Sequence, residues 1–305
     1  MTHATVLAAG ELLVDLISTE LATDLSAAKT FVRVQGGSPA NLCLNLARLG
    51  HATQLVAAVG RDAMGDFLID SVAATGLATA GIGRSRQPTT LILVTKSKAV
   101  SDFFPYRGAD VDITPPLFST LEIDRLKIFH TTCFALSRAP ARQALLEVAD
   151  RVSSAGGRVS IDLNYATKIW PDRKDAQAVV ARYLGIGALV KCSEVDYERL
   201  YGTPLSDPGA AIRRFLDLGA HRVVITLGER GSYGNDGAEV LHCPVLPVEV
   251  VDTTGAGDAF WSGYLSGYLD GLSVLDCLNA GTRMAAIKLG TIGPLQRRVD
   301  RTEIY

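Results

Sequence analysis

The chain has 305 residues, 48% apolar and 20% charged, enough for a sizeable core in one large α/β domain or two small ones, and against disorder. Its 30 Lys and Arg against 32 Asp and Glu leave a net charge of −2, which gives no electrostatic case for nucleic acid or an anionic membrane surface. The five cysteines (Cys43, Cys133, Cys192, Cys243 and Cys277) are scattered without Cys-x-x-Cys or Cys/His spacing, so zinc and disulfide frameworks are unsupported and a reducing cytosol is expected.

From the start of the chain, MTHATVLAAGELLVDL lacks a basic leader and carries Glu11 and Asp15, so a signal peptide is not expected. No run reaches the roughly 18 apolar residues of a membrane span. VLAAGELLVDLI (6 to 17) reads as a first strand running into a loop, and KTFVRV (29 to 34) as a strand. NLCLNLARLG (41 to 50) reads as a helix, QLVAAVG (54 to 60) as a strand and DFLIDSVAATGL (66 to 77) as a helix. Residues 89 to 106 look like strands or a hairpin, with TKSKAVSD as its polar loop. RLKIFHTT (125 to 132) is a strand, 141 to 157 a helix and RVSIDLN (158 to 164) a strand. ALVKCS (188 to 193) and HRVVITLG (221 to 228) continue the strands, PVEVV (247 to 251) ends as one, and the stretch from Asp258 to Leu269 has helical spacing with Gly271 just beyond it. Strands alternating with helices of this length predict βαβ units in a mainly parallel sheet. The segments without helices form a small β-flap inserted in it.

Three stretches carry candidate chemistry. In DTTGAGD (252 to 258) the glycines stand at a helix start, where unpaired amides and the dipole favour an anion. Asp258 either favours the helix start or acts as a base beside that cradle. In VQGGSPANLCLNLARLG (34 to 50), Gly36 and Gly37 allow a tight turn, Ser38 is a candidate N-cap with Pro39 at N1, and Leu42, Leu46 and Leu49 form a buried stripe. Asn41 in that first turn suits a polyhydroxyl ligand, and so does the Asp15 carboxylate after the first strand. ITLGERGSYG (225 to 234) is a strand and a Gly-rich turn, a plain hairpin unless a nucleotide site lies beside it.

These stretches together resemble the ribokinase-like, PfkB-type sugar kinase family, and within it the fructokinase-like branch. GGSPANLCLNLARLG is similar to the family's N-terminal signature and DTTGAGDAF to its C-terminal one, and the resemblance runs from about Gly10 to Gly293. It implies one ribokinase-like domain over 1–305, an α/β/α sandwich around a mainly parallel sheet, with lid segments around 12–34 and 89–110. It implies transfer of the ATP γ-phosphoryl group to a sugar hydroxyl, fructose before 2-keto-3-deoxygluconate or a nucleoside. The rival of another class is a catalytically idle sugar-binding regulator.

By this resemblance Asp258 is the base and the amides of Gly255, Ala256 and Gly257 form the anion hole. Asp15, Gly36, Gly37, Asn41 and the lid Arg107 contact sugar. Thr226, Gly228 and Gly231 form the nucleotide loop, with Asn279 and Thr282 lining the adenine pocket. Asp252 and Thr254 match a site for K⁺, completed by carbonyls of Lys288, Thr291 and Gly293. The family's Asn-x-x-Glu, tied to Mg²⁺ and phosphate, is here Ser193-Glu194-Val195-Asp196, with a carboxylate kept at Asp196. DLNYATKIW (162 to 170) resembles a stretch that carries an arginine in relatives; here the position is Ala166, with Lys168 close by. The resemblance also implies a cytoplasmic protein whose lids could pair two copies.

Overall fold

The computed structural model describes residues 4–96, 103–237, 239–291, 293–295 and 297–305. In chain order the elements are β1 (Val6–Ala9), β2 (Leu13–Leu21), β3 (Phe31–Gly36), α1 (Ser38–Arg48), β4 (Thr53–Gly60), α2 (Ala63–Ala73), β5 (Ile82–Ser85), β6 (Leu91–Lys96) and β7 (Phe103–Tyr106). Then follow β8 (Ile128–Thr132), α3 (Ala141–Ser154), β9 (Arg158–Asp162), α4 (Arg173–Leu184), β10 (Leu189–Ser193), α5 (Glu194–Tyr201), α6 (Pro208–Asp217) and β11 (Arg222–Thr226). The last are β12 (Ser232–Asn235), β13 (Val240–Cys243), α7 (Ala256–Leu269) and α8 (Val274–Leu289).

Nine strands form one sheet in the order β13-β12-β11-β10-β9-β8-β1-β4-β5. From β11 to β5 every pairing is parallel; β12 and β13 are added antiparallel at one edge. Neighbouring strand residues face opposite helical layers, which is why these strands read as unbroken apolar runs. Leu7, Val190 and Val223 pack with the α3–α6 layer. Val6, Leu189 and Val224 pack with α1, α2, α7 and α8. This is the expected α/β/α sandwich.

β2, β3, β6 and β7 form a separate sheet, in the order β3-β2-β6-β7. The stretch 6 to 17 is therefore not one strand and a loop. After Ala9 the chain leaves the central sheet, and Leu13–Leu21 pairs with β3 and β6 instead. An apolar run does not record which sheet it joins. Asp15 thus lies inside a strand of the small sheet. β6 and β7 pair antiparallel as a hairpin, while residues 97–102 of the predicted polar loop lie outside the described residues. Phe104 and Tyr106 stay exposed on the hairpin with ring centroids 5.1 Å apart. PVEVV forms no strand: β13 closes the order of the sheet, and Val250 and Val251 are exposed. Among the described residues no helix is long and apolar enough to cross a membrane.

Candidate active site

The two signature stretches meet at one carboxylate. Gly255, in the left-handed conformation with φ 74°, caps α7, and Asp258 lies in the helix's first turn. Ser38 Oγ donates to Asp258 Oδ1 at 2.6 Å, and Asn41 Nδ2 donates to Oδ2 at 2.8 Å. Ser38 is therefore not the N-cap of α1. Gly37 takes that position, and Ser38, already helical, spends its hydroxyl on a residue 220 positions away. Asn41 also accepts from Gln35 Nε2 at 3.2 Å, so its amide is fully oriented between the small sheet and α7.

Burial pushes the Asp258 carboxyl up, while the bonds from Ser38 and Asn41 and the ammonium groups of Lys191 and Lys288 pull it back. Asp15 is pushed up to about 7, first by burial and then by the negative charge of Asp258. Asp15 stands against Gly36: a Cβ there would lie 2.1 Å from Asp15 Oδ2, so only glycine lets the strand pass that carboxylate. Ala256 N–H closes a turn onto Thr253 O at 3.2 Å, which removes it from the expected anion hole. The amides of Gly255, Gly257 and Asp258 have no acceptor among the described residues, as the first N–H groups of a helix lack intrahelical partners.

Beneath this cradle lies a cation the sequence reading did not select. Lys191, in β10, is 7% exposed and donates to Asp162 Oδ2 at 2.9 Å. A Cβ on Gly257 would sit 2.9 Å from its Nζ. Burial opposes its charge, but Asp162, then Asp196 and Asp258, more than offset that, so the ammonium is held protonated. The signal available was a lysine inside the otherwise apolar strand ALVKCS, because lysine is almost never buried unless paired.

The expected nucleotide residues come together along one edge. Thr226 ends β11, level with Ser193 of β10 and Ser232 of β12. Gly228 opens the following turn, and Leu227 N–H bonds to Gly231 O at 2.8 Å. Cys243 Sγ lies 3.3 Å from Asn279 Oδ1 and 3.4 Å from Thr282 Oγ1, which places both α8 residues beside the β-strand edge that Gly231 abuts. Ser193 and Asp196 form a capping box on α5: Asp196 N–H bonds to Ser193 Oγ at 3.1 Å and Ser193 N–H to Asp196 Oδ2 at 3.2 Å. The changed Asn-x-x-Glu stretch is thus a self-satisfied helix start, with the Asp196 carboxylate in the capping box and Glu194 paired with Arg230.

Arg107 and the place expected for K⁺ both have charge partners within the chain. The Arg107 side chain is buried, its Nε donates to Asp110 Oδ2 at 3.0 Å, and its guanidinium lies over the Phe134 ring at 4.3 Å. The place expected for K⁺ holds an ammonium instead: Lys288 Nζ lies 3.2 Å from Asp252 Oδ2 and 3.2 Å from Thr291 O. Ala166 packs against the small sheet's apolar face, and Lys168 Nζ donates to Phe103 O at 2.8 Å, tying that loop to β7.

A model of the pfkB family of carbohydrate kinases matches residues 3–297. The chain belongs to that family. It is an ATP-dependent carbohydrate kinase. Among known proteins it is 35% identical to an ATP-dependent 6-phosphofructokinase of Thermoanaerobacterium thermosaccharolyticum, over 95% of this chain and 89% of that one. It is 30% identical to a probable fructokinase-2 of Arabidopsis thaliana, over 88% and 82%. Among solved structures, Halothermothrix orenii fructokinase matches with a TM-score of 0.77 at 34% identity, covering 95% of this chain and 99% of that one. The Xylella fastidiosa fructokinase with bound ATP matches with a TM-score of 0.85 at 26% identity, covering 98% and 96%.

Proposed function

We propose that this pfkB-family kinase phosphorylates a hydroxyl of an uncharged small sugar, fructose first, with Asp258 as general base. The observation that carries the reading is the Asp258 carboxylate, fixed by Ser38 and Asn41 at the mouth of an amide cradle and electrostatically coupled to Asp15. Asp15, Asn41 and the backbone at Gly36 and Gly37 hold the sugar. Asp258 takes the proton of the attacking hydroxyl. The amides of Gly255, Gly257 and Asp258, with Lys191 beneath, stabilise charge on the transferring phosphoryl group. Thr226, Gly228, Gly231, Asn279 and Thr282 hold the nucleotide. The small sheet covers the sugar and keeps out water, a competing acceptor.

Among the described residues no three His, Cys, Asp or Glu are grouped as a metal cage. That suits Mg²⁺, which is commonly held through waters and substrate phosphates. Asp196 would hold it through water, and when bound it would neutralise phosphate charge.

The preference for an uncharged sugar rests on Arg107. An acid or phosphosugar needs a cation for its anion, since a buried unpaired charge costs several kcal/mol. Arg107 already serves Asp110. The 6-phosphofructokinase relative favours fructose 6-phosphate as a second reading. The test is kcat/KM for fructose, fructose 6-phosphate and 2-keto-3-deoxygluconate side by side at saturating Mg-ATP. Fructose is expected to give the highest value; a higher value for either anion overturns the specificity, and no sugar-dependent ADP release from any substrate overturns the kinase reading.

The acid side of the pH profile is a second expected result. A carboxylate accepts sugar hydroxyls as the anion, so sugar binding weakens as Asp15 takes a proton. With its carboxyl at about 7 in the free protein, kcat/KM for the sugar should fall as pH drops through that value. Asp258 protonates in the same direction, and the two together set the apparent value. In Asp15→Asn the acid limb should move to lower pH, at a lower plateau, because the group raised to about 7 is gone. An unchanged acid limb in that variant would remove Asp15 from sugar binding.

A further inference from the structure

The cradle loop is held from behind by an internal cation. Lys288, in the last turn of α8, is 5% exposed. Its Nζ reaches Asp252 Oδ2 and Thr291 O, both at 3.2 Å. The same carboxylate accepts Thr254 N–H at 2.9 Å through Oδ1 and Gly293 N–H at 3.0 Å through Oδ2. One carboxylate thus fastens the segment leading into α7 to the segment leaving α8. The Lys288 stem runs directly under the cradle: its Cε would lie 3.9 Å from a Cβ on Gly255. The Lys288 carbonyl, expected to ligate a metal ion, instead accepts Thr291 N–H at 3.0 Å.

The residues present therefore do not fit K⁺. Two oxygens that would coordinate it already share an ammonium of the same charge, and a second cation placed there would meet strong repulsion at short range. We propose that the Lys288 ammonium is a tethered replacement for an exchangeable monovalent cation, and that it positions the Gly255 and Gly257 amides without K⁺. The inference rests on the kinase reading of that cradle. Lys288 acts through Asp252 and the loop, so it is a positioning residue. A lysine in the last turn of a helix also complements the helix dipole, but that role alone would show no response to added cations.

The experiment compares rate and thermal unfolding in KCl, NaCl and tetramethylammonium chloride at equal ionic strength. Wild type should show the same kcat and the same Tm in all three, because a bound cation would raise Tm with its concentration. Lys288→Ala should lose about tenfold or more in kcat with a smaller change in KM, and K⁺ or NH4⁺ but not tetramethylammonium should restore much of it. Selective K⁺ activation or a K⁺-dependent rise in Tm of the wild type overturns the proposal. So does a Lys288→Ala enzyme with full kcat in tetramethylammonium, or one whose lost rate no small cation restores. If the variant does not fold, the wild-type salt series still decides. A wild type that releases no ADP with any sugar defeats the kinase reading instead, and the Tm comparison still tests the cation.

Discussion

Asp258→Asn is expected to lower kcat by on the order of 100-fold or more while KM for sugar and ATP changes little. The substitution keeps the shape of the side chain. Its amide oxygen can accept from Asn41, and its new N–H₂ can donate to Ser38, whose hydroxyl oxygen has free lone pairs. The contact between α1 and α7 therefore survives. What disappears is a carboxylate able to take the proton of the attacking hydroxyl. If Asp258 served only the positive end of α7, the variant would lose about 0.3–1 kcal/mol of stability and no rate. Measuring kcat, KM and Tm together separates the two accounts, and a near-normal kcat would sink the base assignment.

Lys191→Met should be damaging in two separable ways. Asp162 Oδ1 already lies buried without a partner, and Lys191 serves the other oxygen. Removing the ammonium leaves an uncompensated buried carboxyl, which costs about 3–5 kcal/mol. Adding Asp162→Asn should return much of that stability, because no charge then remains to be neutralised. The rate should not return, since the cation under Gly257 is still missing. The measurement is chemical denaturation and kcat for the single and double variants. A double variant that recovers both would make Lys191 a structural partner of Asp162 and nothing more.

The architecture and the two signature stretches were legible in the sequence because their causes are local. A glycine pair before Ser-Pro and a Gly-x-Gly before an amphipathic run state what the backbone does within a few residues. Alternation of apolar runs and helical spacing states the layers. The split of 6 to 17 between two sheets was not legible, because pairing partners lie outside the run. PVEVV failed for the same reason: its composition suits a strand, but no neighbouring strand remains beyond β13.

Charge partners were the largest group left to the tertiary structure. By itself the sequence placed Asp258 beside an amide cradle, and Asp252 and Thr254 just ahead of it. Only the fold decided that Ser38 turns from capping its own helix to Asp258, that Arg107 is matched by Asp110, and that Lys191 and Lys288 bring two buried ammonium groups beneath the cradle. The backbone's conformational needs are met by its own neighbours in the chain. A buried charge is met by whatever the packing brings within a few ångströms, and in this protein Asp258 and Lys191 each find those partners on segments far away in sequence.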